Sequence, residues 1–227
     1  MLKKMKLIVR NTHKYLSFFI SVQLLLWTIS GIYFAFNKIE NVRGEQYRAD
    51  VQRELDFEAI NFVIPDAIDV SLKKRLEQTI VIASTASGMR YFDVNGNSVN
   101  HLTPEETMQI VDEQTTLEPL RVEQVNTTER GSEYRGRALP IYRVIANNSD
   151  GKEINVYVNI FSGDISAIRS TQWRIWDLMW GFHIMDWVER DNIDNLLLKI
   201  FSILALVSSI TGVLLFFKVD VKNNVSI

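Results

Sequence analysis

The chain has 227 residues, of which 47% are hydrophobic and 23% charged, with a net charge of −2 and no cysteine. That length allows one ordinary domain with additions. The lack of cysteine excludes thiol catalysis, iron–sulfur clusters, thiolate zinc sites and covalent c-type haem attachment, and any exterior domain must hold together without disulfide staples.

Residues 1–14 form a basic flank with Lys3, Lys4, Lys6, Arg10 and Lys14 and no acid. An uncharged block, 15–36, follows, long enough to span a bilayer. Its apolar run exceeds a signal-peptide core, and Tyr33-Phe34-Ala35-Phe36-Asn37 is a poor cleavage site, so an uncleaved anchor is expected. A second apolar block spans 196–217, with a tail at 218–227. Ser17, Ser21, Thr28 and Gly31 share one helical face, as do Ser202, Ala205, Ser209 and Gly212. Such stripes of small residues either let helices pack closely or make room for a flat cofactor. Trp27–Ile32 and Ser208–Val213 also echo each other as a degenerate inverted repeat. Gln23 either hydrogen-bonds across helices or reaches a quinone, whereas Lys199, in an opening turn, is expected to snorkel.

Residues 37–195 carry 17 Lys+Arg against 26 Asp+Glu, a net −9. With the basic start, and with Lys218 and Lys222 against Asp220, the positive-inside rule puts both termini in the cytoplasm and 37–195 outside. An acidic exterior argues against nucleic acid as a partner. After a polar linker, Ile80–Ala83 and Met89–Val94 predict a hairpin closed by Asn95-Gly96-Asn97. Thr103, Pro104 and Glu106 predict a capping-box helix. Leu139–Asn147 and Glu153–Phe161 predict a second hairpin, ended by a Ser162-Gly163-Asp164 turn. Within it Ile154, Val156, Val158 and Ile160 alternate with Asn155, Tyr157 and Asn159, predicting one buried face and one wet face. The pattern over 37–172 is that of an α+β domain built from one and a half to two helix-plus-hairpin units.

From Trp173 to Trp187, Trp173, Trp176, Trp180, His183 and Trp187 recur at helical spacing. Arg174, Asp177 and Asp186 make the segment too polar to span, so 173–195 reads as an interfacial amphipathic helix with tryptophan anchors. Asp177, Asp186, Glu189, Asp191 and Asp194 read as a solvated acidic rim, or as ligands for a hard cation such as calcium or iron. No Gly-x-Ser-x-Gly, His-Glu-x-x-His, phosphate loop or dinucleotide fingerprint occurs.

Leu139-Pro140-Ile141-Tyr142-Arg143-Val144, a hairpin, and then VYVNIFSGDI resemble the PepSY domain. Arg10 and His13, the Ser30-Gly31 closing the first block, Phe182-His183 before the second and Thr211-Gly212 within it resemble the PepSY-associated transmembrane proteins, over almost the whole chain. The resemblance implies a bacterial inner-membrane protein with a periplasmic PepSY-like domain at 37–172. Larger members are similar to ferric-siderophore reductases that hold b-type haem through histidines near helix ends, and others occur with flavin-carrying electron-transfer proteins. Carried over by motif, His13 and His183 are the candidate haem-iron ligands, with Trp180 and Trp187 packing the haem, while His101 belongs to the exterior domain. His13, placed before the first span, and His183, before the second, lie a bilayer apart, ~30 Å. One chain therefore does not clamp one haem. A homodimer pairing each histidine with its copy, or a larger membrane electron-transfer partner, would complete the ligation. Two functions follow. The first is a haem-associated electron-transfer component supporting periplasmic reduction of iron or a flavoprotein partner. The alternative is a non-catalytic, membrane-tethered PepSY module that binds or regulates a periplasmic partner such as a peptidase.

Overall fold

The computed structural model describes residues 2–51, 60 and 62–223. The side chains of Lys3, Lys4, Lys6, Lys218, Asp220 and Lys222, and the tail beyond 223, lie outside the described residues. The chain divides into two compact units, a helical one (Met1–Lys38 with Ile175–Ile227) and an α+β one (Ile39–Arg174).

The helical unit holds α1 (Leu2–Phe36), most of α4 (Thr171–Ile184) and α5 (Leu196–Asn223). Helix α1 begins well before the apolar block, because its lysine-, leucine- and methionine-rich start consists of good helix formers. Within these helices Leu7–Phe36 and Leu196–Phe217 are long and apolar enough to cross a membrane, and only 17% and 6% of their most apolar windows is buried. Phe18 and Phe36 are more than four-fifths exposed. A core helix of a water-soluble protein covers its apolar stripe; these two leave theirs open, which is compatible with insertion into a bilayer.

Helices α1 and α5 pack through Ser17, whose hydroxyl lies 2.7 Å from that of Ser208, and through the stacked rings of Phe19 and Phe201, 5.8 Å apart. Of the small-residue stripes, Ser17 and Gly212 act in this packing, whereas Ser208 lies outside them and Ser202 and Ser209 are exposed. Ser21 and Thr28 are exposed and turn their hydroxyls back to the carbonyls of Phe18 and Leu24. The more C-terminal part of α1 faces α4 instead, through Gln23, Trp27, Ser30 and Phe34. The 28-residue α5 and the shorter α4 therefore pack on successive parts of the 35-residue α1.

The α+β unit opens with a short helix, α2 (Ile39–Val42), and a 3-10 turn at Glu45–Tyr47. Strands β1 (Ala67–Arg75), β2 (Gln78–Thr85) and β3 (Gly88–Asp93) form an antiparallel sheet in sequence order. Helix α3 (Pro104–Gln114) follows, and then β4 (Glu118–Val125), β5 (Ile141–Asn147), β6 (Glu153–Asn159) and β7 (Ile165–Arg169) make a second antiparallel sheet. The expected capping box is present: the Glu106 N–H donates to Thr103 Oγ1 at 3.1 Å and the Thr103 N–H to Glu106 Oε2 at 2.8 Å. It starts α3 where Ile110 and Val111 drop onto Val144, Val156 and Val158 of the second sheet. Gly163, in the β6–β7 turn at φ +72°, is held where a Cβ would lie 2.7 Å from Ile110 Cδ1, so both backbone and space demand glycine. The two sheets are tied by buried Arg75, which donates to the carbonyls of Asn100 and Phe161 at 2.9 and 3.0 Å.

The expected wet face of β6 is not wet. Asn155 and Tyr157 are buried, because residues 126–140 fold across them. Tyr134 packs on Tyr157, and Glu133 Oε2 accepts from Asn155 Nδ2 at 2.8 Å and from the Tyr157 hydroxyl at 3.1 Å. A strand covered on both sides can still alternate when its second cover is a polar loop supplying a carboxylate.

Candidate functional site

The chemistry of the helical unit is set by how α4 ends. The helix stops at Ile184, shorter than the expected 173–195: Met185 takes a left-handed φ of 57°, and the Asp186 N–H donates back to the Gly181 carbonyl at 3.0 Å. The other last-turn carbonyls have no intrahelical donor and need side chains. Gln23 Nε2 donates to the Phe182 carbonyl at 3.0 Å, Trp27 Nε1 to the His183 carbonyl at 2.6 Å, and Asn195 Nδ2 to the Ile184 carbonyl at 2.9 Å. Gln23, Trp27 and Ser30 fall at i, i+4 and i+7 on α1, one face. Gln23 is thus a cross-helix donor. Asn195 also caps α5 by accepting from the Leu198 N–H at 2.8 Å.

This arrangement holds His183 against α1. Its Nδ1 lies 2.8 Å from Ser30 Oγ, and the Ser30 hydroxyl proton goes to the Trp27 carbonyl at 3.1 Å. The hydroxyl oxygen then accepts from Nδ1–H, which leaves the lone pair on Nε2. Burial pushes the His183 imidazole below its ordinary value, favouring this neutral form. Trp180 stacks on the ring, with centroids 6.2 Å apart and planes 9° apart, Trp176 stacks on Trp180, and Phe34 touches all three rings.

His13 does not precede α1 but lies within it. Its Nδ1 sits 3.1 Å from the Ser208 carbonyl, an acceptor only, so Nδ1–H donates there and Nε2 is the nitrogen not engaged by that carbonyl. The ring lies over Gly212, where a Cβ would come 3.1 Å from His13 Cε1. Each histidine thus sits on one half of the echoed Ser/Thr-Gly motif: His183 on Ser30, His13 on Ser208 and Gly212. Ser30 is 17 residues beyond His13 along α1, about 25 Å of helix. One iron cannot bridge that span. The residues fit a b-type haem to the extent of one axial nitrogen each, with Nδ1 held by a neighbour as metal-binding imidazoles require.

The structure joins Trp180 to His183 but not Trp187, which lies beyond the helix end and is half exposed. Trp173 is buried in the α+β unit, so the tryptophans do not form a single membrane-facing stripe. His101 meets Phe161 edge-on at 4.5 Å in that same unit. The acidic cluster is neither a uniform rim nor a cation site. Asp177 is buried and paired with Arg190 at 3.3 Å, and exposed Asp194 pairs with Lys199. Asp186 accepts backbone N–H groups from Val188, Glu189, Asp191 and Asn192. Burial pushes its carboxyl up, but the backbone donors together hold it below the usual range. Among the described residues no three His, Asp or Glu side chains group as a metal site. No family model, curated protein or solved structure matches the chain.

Proposed function

We propose that the protein is an inner-membrane member of the PepSY-associated transmembrane proteins, with both termini cytoplasmic and residues 37–195 periplasmic. In this reading it is a haem-associated electron-transfer component supporting periplasmic reduction of iron or a flavoprotein partner. The observation that supports it is the matched state of two histidines. Both present Nδ1 to a polar group of a neighbouring helix, the Ser208 carbonyl for His13 and the Ser30 hydroxyl for His183, which leaves Nε2 as the nitrogen available to a ligand. A b-type haem bound to such nitrogens would supply a reversible one-electron couple. The chain's own part is to fix ring orientation through Ser30 and Ser208 and, at His183, to wall the imidazole with Trp180 and Phe34. The second axial ligand would come from another copy or a larger partner. Single substitutions His13→Ala and His183→Ala test this in the purified full chain. Each is expected to remove or weaken its share of haem absorbance while far-UV circular dichroism stays unchanged; full absorbance in both would refute the assignment.

A second reading, the tethered PepSY module, is favoured by β1. It is an edge strand on which Ile68 and Val70 are at least half exposed, a surface able to pair with an extended segment of a partner. That reading expects a colourless protein whose partner binding depends on β1.

A further inference from the structure

Between α4 and α5, inside the helical unit, the chain forms a closed loop, Met185–Asn195. Its two ends are joined, since Asn195 Nδ2 donates to the Ile184 carbonyl at 2.9 Å. The same Asn195 caps α5, so the loop lies at the end where the apolar Leu196–Phe217 stretch begins. Its backbone is largely satisfied from within. The Asp186 carboxylate accepts from the N–H groups of Val188, Glu189, Asp191 and Asn192 at 3.1–3.3 Å, and Asn192 Oδ1 accepts that of Asp194 at 3.0 Å. Arg190 folds back over α4, pairing with buried Asp177 at 3.3 Å and lying against Gly181, where a Cβ would come 2.7 Å from Arg190 Cγ. A loop tied down in this way would ordinarily turn its apolar side chains inward. Instead Trp187, Val188 and Ile193 are all more than half exposed.

We propose that the Met185–Asn195 loop is a preformed bilayer anchor, seating Trp187, Val188 and Ile193 at the boundary between headgroups and acyl chains of the leaflet in which α5 begins. Lipid is favoured as the occupant by what adjoins the loop. Leu196, the first residue of α5, is 72% exposed, and Ile200 and Ile203 continue an open apolar surface along the same helix. An indole has an apolar body and one N–H, which suits the membrane boundary. A backbone paired from within is also what approach to lipid demands, because N–H groups stripped of water and given no other acceptor are costly. The loop is fixed beforehand, so little conformational entropy is lost when it seats. Glu189 and Asp191, exposed on the same loop, limit its depth: their carboxylates stay hydrated and hold the anchor at headgroup level. The inference rests on the membrane part of the proposed function and is independent of haem.

The chain has no cysteine, so a single introduced thiol carries a probe without background. Val188→Cys, Ile193→Cys and, on α5, Ile203→Cys are each nitroxide-labelled in the full chain and reconstituted into dioleoylphosphatidylcholine bilayers. Power-saturation electron paramagnetic resonance gives the ratio of collisions with oxygen, which concentrates among acyl chains, to collisions with a water-soluble nickel chelate. Ile203, about 10 Å further along α5 than Leu196, reports the hydrocarbon. Ratios at 188 and 193 are expected several-fold above that of the free label in buffer and below that at 203. A buffer-like ratio at either loop position, with 203 in hydrocarbon, would overturn the anchor and leave the spanning helix standing. A buffer-like ratio at 203 as well would overturn the membrane reading together with it. Loop ratios equal to that at 203 would overturn the headgroup-level seating. Both loop positions are exposed, so the labelled chains should keep the parent's far-ultraviolet circular dichroism; a variant that does not is replaced by Trp187→Cys on the same loop.

Discussion

Replacing Gln23 or Trp27 tests whether α1 caps the end of α4. Both side chains point their only useful donors at carbonyls that a terminating helix cannot satisfy by itself, at 3.0 and 2.6 Å. Gln23→Leu keeps the approximate volume of a side chain that is 6% exposed, and Trp27→Phe keeps an aromatic ring; each removes the N–H. A buried carbonyl left without a donor costs about 1–3 kcal/mol in water-soluble proteins. Hydrogen bonds between membrane helices are worth roughly 0.6 kcal/mol on average and at most about 1.7. A loss of about 1 kcal/mol per variant is therefore expected. The double variant should lose less than the sum, since adjacent carbonyls fray together once the last turn opens. Reversible unfolding in mixed dodecyl maltoside and dodecyl sulfate micelles measures this, followed by near-ultraviolet circular dichroism. The Trp176–Trp180 stack, at 5.6 Å and 12°, gives the local signal. If both variants stay within about 0.3 kcal/mol of the parent with that signal intact, capping by α1 is not what holds α4.

Other consequences are equally specific. Gly212→Val should push His13 out of the α1–α5 contact and lower stability by about 1–3 kcal/mol in the same assay, because a Cβ alone already reaches 3.1 Å from the ring. Glu133→Ala should cost about 3 kcal/mol in urea unfolding, since it strands Arg174, Asn155 and Tyr157 together. The side chain of Asn97, and then the backbone N–H groups of Asn97 and Asn95, hold the Asp93 carboxyl below its ordinary 3.8. Its stabilisation of the turn is therefore full above that value and lost as pH falls through the lowered one, a dependence that Asp93→Asn should remove from an acid-unfolding titration.

Much of this architecture is written locally in the chain. The capping box at Thr103 and the Ser162-Gly163-Asp164 turn are short-range signals, and both appear where their residues require. Strands β1, β4 and β7 are not foreseen, because Ala67–Arg75 and Glu118–Val125 are charged edge strands and β7 has only five residues. The wet face assigned to β6 fails for a long-range reason: nothing in Asn155 or Tyr157 announces that Glu133 will fold over them. The aromatic stripe fails similarly, since helical spacing continues to Trp187 while Met185 and Asp186 end the helix. His13 and His183 are legible as candidates. Their tautomers are not, because these depend on Ser208 and Ser30, distant in sequence.

The most direct measurement is a visible absorption spectrum of the full chain, purified in detergent from haem-replete cells, before and after dithionite. The proposed function predicts a Soret band that sharpens on reduction, with distinct α and β bands. A colourless, folded preparation would contradict the electron-transfer role and leave the tethered binding module in its place.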